Sequence, residues 1–107
     1  MSDTSSTLDL LRRAVRERLQ VVATYDGHAR EFCPHVLGAT GGERRCLGFQ
    51  FGGAGSKGPV TPASAAWRCF RVDKLGDVSL RAGPWHTDAR PLGPQHCVRE
   101  VELQVEG

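Results

Sequence analysis

One N-terminal helix followed by five or six short antiparallel strands, curled into a small, strongly bent sheet or partly open barrel, is the mainly β fold that this sequence predicts. Three observations lead there. Apolar residues recur at three- or four-residue spacing near the N-terminus; β-branched, alternating runs separated by glycine turns fill the remainder; and 107 residues make one domain with a single core. The expected divisions are a flexible start over 1–7, a helix over 8–19, a barrel core over 20–81, and a C-terminal loop and strand over 82–107.

Thr4-Ser5-Ser6-Thr7 offers an N-cap, and Leu8, Leu11, Val15 and Leu19 form the apolar stripe of the helix that follows. Arg12, Arg13, Arg16 and Arg18 make its other face basic, as suits a solvated surface. Gln20 to Tyr25 is rich in β-branched residues and reads as a strand. Asp26-Gly27 is a tight turn, and 29–39 is the hairpin partner. Pro34 lacks an N–H, so that partner is an edge or bends there. Thr40 to Glu43 makes the next turn, and 44–51 the next strand.

Gly52 to Pro59 is glycine-rich, but Lys57 follows Ser56 and precedes Gly58 and Pro59, which is not the Gly-Lys-Ser/Thr helix start of a phosphate-binding P-loop. The region 52–65 is expected to be a long flexible loop, a lid or disordered. A strand over 67–75 and another over 77–81 follow. Trp85 is the expected core plug of an irregular segment punctuated by Pro84, Pro91 and Pro94. The final strand, 96–106, places Cys97, Val101, Leu103 and Val105 on one face and Val98, Glu100, Glu102, Gln104 and Glu106 on the other, so that only the first face wants burial.

Charge narrows the partners. A formal +2 is too small to argue nucleic-acid binding by itself, yet Arg44, Arg45, Lys57, Arg68, Arg71 and Lys74 meet only Asp73 between residues 44 and 75. That basic zone suits an anionic partner, and the acidic final strand suits neutralising such a zone in a neighbour. No apolar run has the length of a membrane span and no secretory signal is recognisable, so a cytoplasmic location away from membranes is the expectation. Cys33, Cys46, Cys69 and Cys97 form no Cys-x-x-Cys pair and are read as reduced, buried small hydrophobes. Zinc on Cys33, His35, His96 and Cys97 is disfavoured because adjacent strand residues point to opposite faces. No metal or cofactor is expected.

The stretch Trp67 to Leu75 alternates two chemistries with a period of two. As a strand it sends Arg68, Phe70, Val72 and Lys74 to one face and Trp67, Cys69, Arg71, Asp73 and Leu75 to the other. Arg71 then needs an anionic partner, for which Asp73 is the candidate, while Arg68 is the candidate ligand contact.

Residues 68–75, Arg-Cys-Phe-Arg-Val-Asp-Lys-Leu, resemble the Arg-x-Phe-Arg-Leu-Asp-Arg-Ile strand of WYL domains, ligand-sensing modules of many bacterial transcription regulators. Tyr25, Arg30 and Pro34-His35-Val36-Leu37 are similar, in order and spacing, to the family's first hairpin. Arg45-Cys46-Leu47 stands where the family has Trp-Tyr-Leu, so an aromatic pair is replaced. The resemblance spans residues 8–80. It implies an Sm-like, SH3-like barrel with a helix before the first strand, and a site made of Tyr25, His35, Arg68 and Arg71 with Arg30 in support. The family usually carries a helix-turn-helix domain, for which 107 residues leave no room, so a stand-alone regulatory or accessory role is the expectation.

No nucleophile lies in a recognisable motif beside a histidine, and arginines stay protonated and cannot act as bases, so catalysis is not expected. Guanidinium forks do bind phosphate oxygens. Tyr25 to stack and His35 to donate complete a constellation suited to a nucleotide or short single-stranded nucleic acid. The alternative is a protein-interaction or homo-oligomerisation module whose ligand site has decayed.

Overall fold

In the computed structural model, which describes residues 4–55, 57–88 and 95–105, helix α1 (Thr4–Glu17) precedes seven strands. These are β1 (Gln20–Tyr25), β2 (His28–Thr40), β3 (Glu43–Gly55), β4 (Gly58–Pro59), β5 (Ala66–Arg71), β6 (Gly76–Arg81) and β7 (Glu100–Gln104). All pairings are antiparallel, in the order β4-β3-β2-β1-β6, with β5 also on β3 and β7 also on β2. The sheet is a curled half-barrel, as expected of a mainly β chain with one N-terminal helix. No helix among the described residues is long and apolar enough to cross a membrane.

The helix begins at Thr4, so the polar run read as a flexible start and cap is its first turn, and Thr7 is buried. Residues 1–3 of that expected flexible start lie outside the described residues. The helix ends at Glu17 because Arg18 turns left-handed (φ 54°) and the Leu19 N–H reaches back to the Ala14 carbonyl at 3.0 Å, a C-terminal closure usually made with glycine. Leu19, expected as the last helical residue, follows this turn and still packs on the core.

Two tight turns place the long strands. Asp26 and Gly27 both take positive φ (50° and 76°), the geometry a two-residue hairpin needs, and Tyr25 pairs with His28 across them. Gly41-Gly42 joins Thr40 to Glu43 likewise. Pro34 lies inside the sheet, at a register shift between Pro34 and Val36. On the side away from β3, β1 pairs only as far as Phe32 and β7 starts at Val36, so the missing N–H falls in the gap between them.

The loop expected over 52–65 is built differently. β3 runs on to Gly55, returns as the short β4, and passes through a 3-10 turn at Pro62–Ser64. The strand expected over 67–75 stops at Arg71, where a 3-10 turn (Val72–Lys74) breaks the period of two. Val72 and Leu75, placed on opposite faces by strict alternation, thereby join the same core. The last strand is shorter than expected, with a register shift between Leu37 and Gly38; Val101 is 48% exposed, and Val98, expected on the polar face, precedes the strand and is buried. Glu106, Pro91 and Pro94 lie outside the described residues.

Each face of the sheet carries a cluster. Inside, Leu8, Leu11 and Ala14 of α1 pack with Val21, Ala23, Phe32, Leu37, Cys46, Phe70, Val72 and Leu75; the Phe32 and Phe70 rings stack at 4.4 Å. Outside, Val36 and Leu47 meet Cys97 and Val98 of the C-terminal segment, with Trp67 against them. Trp85 is no core plug; it lies on this outer side, 4.9 Å from the His35 ring.

The cysteines divide. Cys33 and Cys46 are free and buried, as expected, but Cys69 and Cys97 form a disulfide. Cys69 faces the outer side of β5, where the C-terminal segment crosses it. That meeting of residues 28 apart is tertiary and leaves no mark in local spacing.

Candidate functional site

A cavity of about 640 Å³ opens at one end of the sheet, lined by Asp26, His28, Arg30, Lys57, Ser64 and Arg68 together with Gly55, Gly58, Pro59 and Val60. Arg30 lies two residues from Phe32 on β2, and Arg68 two residues from Phe70 on β5. The cavity therefore continues the inner face beyond the core.

Arg30 is its anchor. The side chain is only 8% exposed, and its guanidinium donates from Nε and Nη2 to the Tyr25 carbonyl (3.4 and 3.3 Å) and from Nη1 to Gln50 Oε1 (3.2 Å). It also lies over the Tyr25 ring, 5.5 Å from the centroid. Every one of these partners is neutral. Arg12, Arg13, Arg44, Arg45, Arg71 and Arg81 pair with carboxylates, whereas no ion pair is made by Arg30, Lys57 or Arg68 among the described residues. A buried cation without a counter-ion is costly and favours an anion at its exposed edge.

Gln50, fully buried, holds this arrangement. Its Nε2 donates to the Gly52 and Ala54 carbonyls (2.9 and 3.1 Å) while its Oε1 receives Arg30, so one side chain fixes both the bend of β3 and the guanidinium. Gly53 makes the bend feasible: its φ is +80°, and a Cβ there would lie 2.2 Å from the Ala29 carbonyl oxygen.

The predicted site residues are only partly brought together. Arg30 and Arg68 line the cavity. Tyr25 supports it from below: its ring meets Phe70 edge-on, and its hydroxyl accepts the Arg71 N–H at 3.2 Å, tying β1 to β5. Arg71 points away. It pairs with Asp73 at 3.5 Å, as expected, but more closely with Glu43 at 2.9 Å, a proximity of charges in which the buried Nε–H is not directed at the carboxylate. Arg45, opposite Arg71 on β3, shares the same Glu43, which relieves the cross-strand repulsion.

His35 lies on the other face, among aromatic rings. Nδ1 must carry the proton, since the Cys33 carbonyl 2.7 Å away can only accept; Nε2 then accepts from the Thr87 hydroxyl at 3.0 Å. Burial lowers its pKa, helped by the charge of Arg18 and opposed by the Cys33 hydrogen bond. Of the altered triplet, Cys46 faces the inner core, Leu47 the outer cluster and Arg45 its carboxylate, and none lines the cavity.

The basic zone read from the sequence is correspondingly smaller. Glu102 on β7 pairs with Arg12 and Arg44 of its own chain, and the Arg12 hydrogen bond lowers its pKa. Of that zone, Lys57, Arg68 and Lys74 make no ion pair among the described residues, and Lys57 and Arg68 line the cavity with Arg30 and His28. Gln50 and His28 were not singled out by sequence reasoning. A polar residue inside the apolar run Cys46–Phe51 was the available signal for Gln50; His28 carried none. Lys57 stands in the sequence as one member of the basic zone and in a loop that fails the P-loop pattern, without being singled out as a site residue. Among the described residues, no three His, Cys, Asp or Glu side chains cluster to hold a metal.

Comparison with family models, curated proteins and solved structures gave no match.

Proposed function

We propose that this chain is a WYL-like ligand-sensing or regulatory module that binds an anionic ligand, a nucleotide or short single-stranded nucleic acid, at the basic mouth of its sheet, without catalysis. The observation that carries this reading is the buried Arg30 guanidinium, held by neutral acceptors only, beside Arg68 and Lys57 in a cavity of about 640 Å³. Three cations facing one carboxylate, Asp26, leave room for phosphate oxygens. The strand path β6-β1-β2-β3-β5, with a 3-10 turn joining β5 to β6, supports reading the sheet as an Sm-like, SH3-like barrel. Binding rather than chemistry is favoured because Ser64 Oγ accepts the Thr61 N–H at 2.9 Å and donates to the Thr61 carbonyl at 3.3 Å, bonding locally and not to His28.

A thermal-shift screen against nucleoside triphosphates, cyclic dinucleotides, short single-stranded oligonucleotides and inorganic triphosphate tests the reading. A ligand bound only by the folded state raises the melting temperature in proportion to its occupancy. The expected result is a shift with phosphate-bearing compounds that disappears in Arg68→Ala. No shift with any of them would leave the interaction-module reading.

A further inference from the structure

The outer face of the sheet is covered by a segment of the chain that one covalent bond ties down. Residues 95–99 bring Cys97 and Val98 onto Val36, Leu47 and Trp67, contributing two of the four buried residues of that cluster. Apart from the disulfide to Cys69, their polar tethers to the sheet among the described residues run through one hydroxyl. Thr40 Oγ1 donates to the Cys97 carbonyl (2.8 Å) and accepts the Arg99 N–H (3.0 Å). The two hydrogen bonds between Gln95 and Val98 are internal to the segment and hold its shape rather than its position. Helix α1 and most of the inner core lie on the opposite face, and their packing does not involve Cys97 or Val98.

We propose that the Cys69–Cys97 disulfide is a redox-operated clasp: reduction by a dithiol lets residues 95–99 detach from the outer face, uncovering Trp67, Val36 and Leu47 while the inner core persists. Cys69 is exposed and Cys97 buried, so a reductant thiolate attacks the Cys69 sulfur. A mixed disulfide forms there, the Sγ–Sγ bond breaks, and Cys97 leaves as a thiolate that takes a proton. The second thiol of the reductant then displaces Cys69, so two electrons and two protons pass to the cysteines and the reductant departs as its own disulfide. The other two cysteines do not interfere. Burial pushes the thiols of Cys33 and Cys46 up to about 11 and about 12, which keeps them protonated and unreactive, so the bond has no partner for internal exchange. In a reducing compartment such a bond forms transiently and in an oxidising one it persists, so the clasp reports the redox state around the protein.

The test uses the full chain, oxidised and then treated with dithiothreitol, with alkylation and mass measurement to count the thiols released. Both tryptophans of the chain, Trp67 and Trp85, lie on the outer side, so their emission reports on this face. Arg99, exposed within the segment, is a site for trypsin. Expected on reduction are a red-shifted emission and cleavage after Arg99 faster by about tenfold or more, with far-UV circular dichroism nearly unchanged and reversal on reoxidation. The double variant Cys69→Ser, Cys97→Ser should show the open behaviour without reductant and no response to it; the reduction of wild-type protein stands as a test if that variant does not fold. The proposal is overturned if two thiols appear on reduction with emission and cleavage unaltered, if reduction unfolds the whole domain, or if the untreated, denatured protein already alkylates at four cysteines.

Discussion

Replacing Gln50 with leucine removes the one side chain that serves the bend of β3 and the Arg30 guanidinium together. Leucine is close in size and fits an apolar interior, so the loss is polar rather than steric. Two carbonyls, Gly52 and Ala54, lose donors at 2.9 and 3.1 Å, and Arg30 loses its acceptor at 3.2 Å. An orphaned buried acceptor costs about 1–3 kcal/mol and a hydrogen bond to a charged group about 1.5–3 kcal/mol, while the added apolar burial returns about 2 kcal/mol. The net expectation is a loss of about 3 kcal/mol, measured by urea unfolding followed by circular dichroism. Gln50→Glu should also destabilise, although it gives Arg30 a counter-charge, because its carboxylate would face two carbonyl oxygens without a proton to offer. A loss below about 1 kcal/mol for Gln50→Leu would refute the hub assigned to this residue.

Three further outcomes follow from the same packing and charge map. Leu11, fully buried between α1 and the sheet, should cost about 2–5 kcal/mol when truncated to alanine, read from the same unfolding curves. Arg71→Ala should cost about 1 kcal/mol or less, because its partners are half-exposed and Glu43 keeps Arg45 at 2.6 Å; a loss of several kcal/mol would show Glu43 left stranded. Stability should fall with acid in two stages. His35 has a lowered folded pKa, so the unfolded chain binds its proton first, and the stability present above about pH 6.5 declines as pH drops toward the folded value. Glu102, also lowered, adds its loss only below about pH 4.5. Melting curves from about pH 8 to about pH 2.5 check this, and a His35→Gln variant should lack the first stage.

Local chemistry carried most of what the sequence revealed. β1 has the bounds its β-branched run implies, and both two-residue turns fall where positive-φ residues stand, because propensity and turn geometry act over a few residues. Errors at element ends came from competing local rules. Thr4 to Thr7 satisfies capping preferences yet folds as helix, and Val72 to Lys74 keeps a strand-like pattern yet coils into a 3-10 turn so that Val72 and Leu75 reach one core. Arg68 was expected as a ligand contact from strand parity and Arg30 from the resemblance alone, and both line the cavity, whereas the strand arginines Arg45, Arg71 and Arg81 do not. His35 lies at a register shift that Pro34 signals as a bend without giving the face His35 then takes, and the Cys69–Cys97 bond and the Glu102 ion pairs join residues distant in sequence.

Whether the cavity of Arg30, Lys57 and Arg68 takes an anion is decided by calorimetric titration of the full chain with a short single-stranded oligonucleotide and with inorganic triphosphate, at low and raised salt. Saturable binding of at least one of them is expected, weakening as salt rises and dropping by about tenfold or more in Arg68→Ala, while that variant melts like the wild type because Arg68 makes no ion pair among the described residues. Absence of binding at low salt, or equal affinity in wild type and Arg68→Ala, would contradict it.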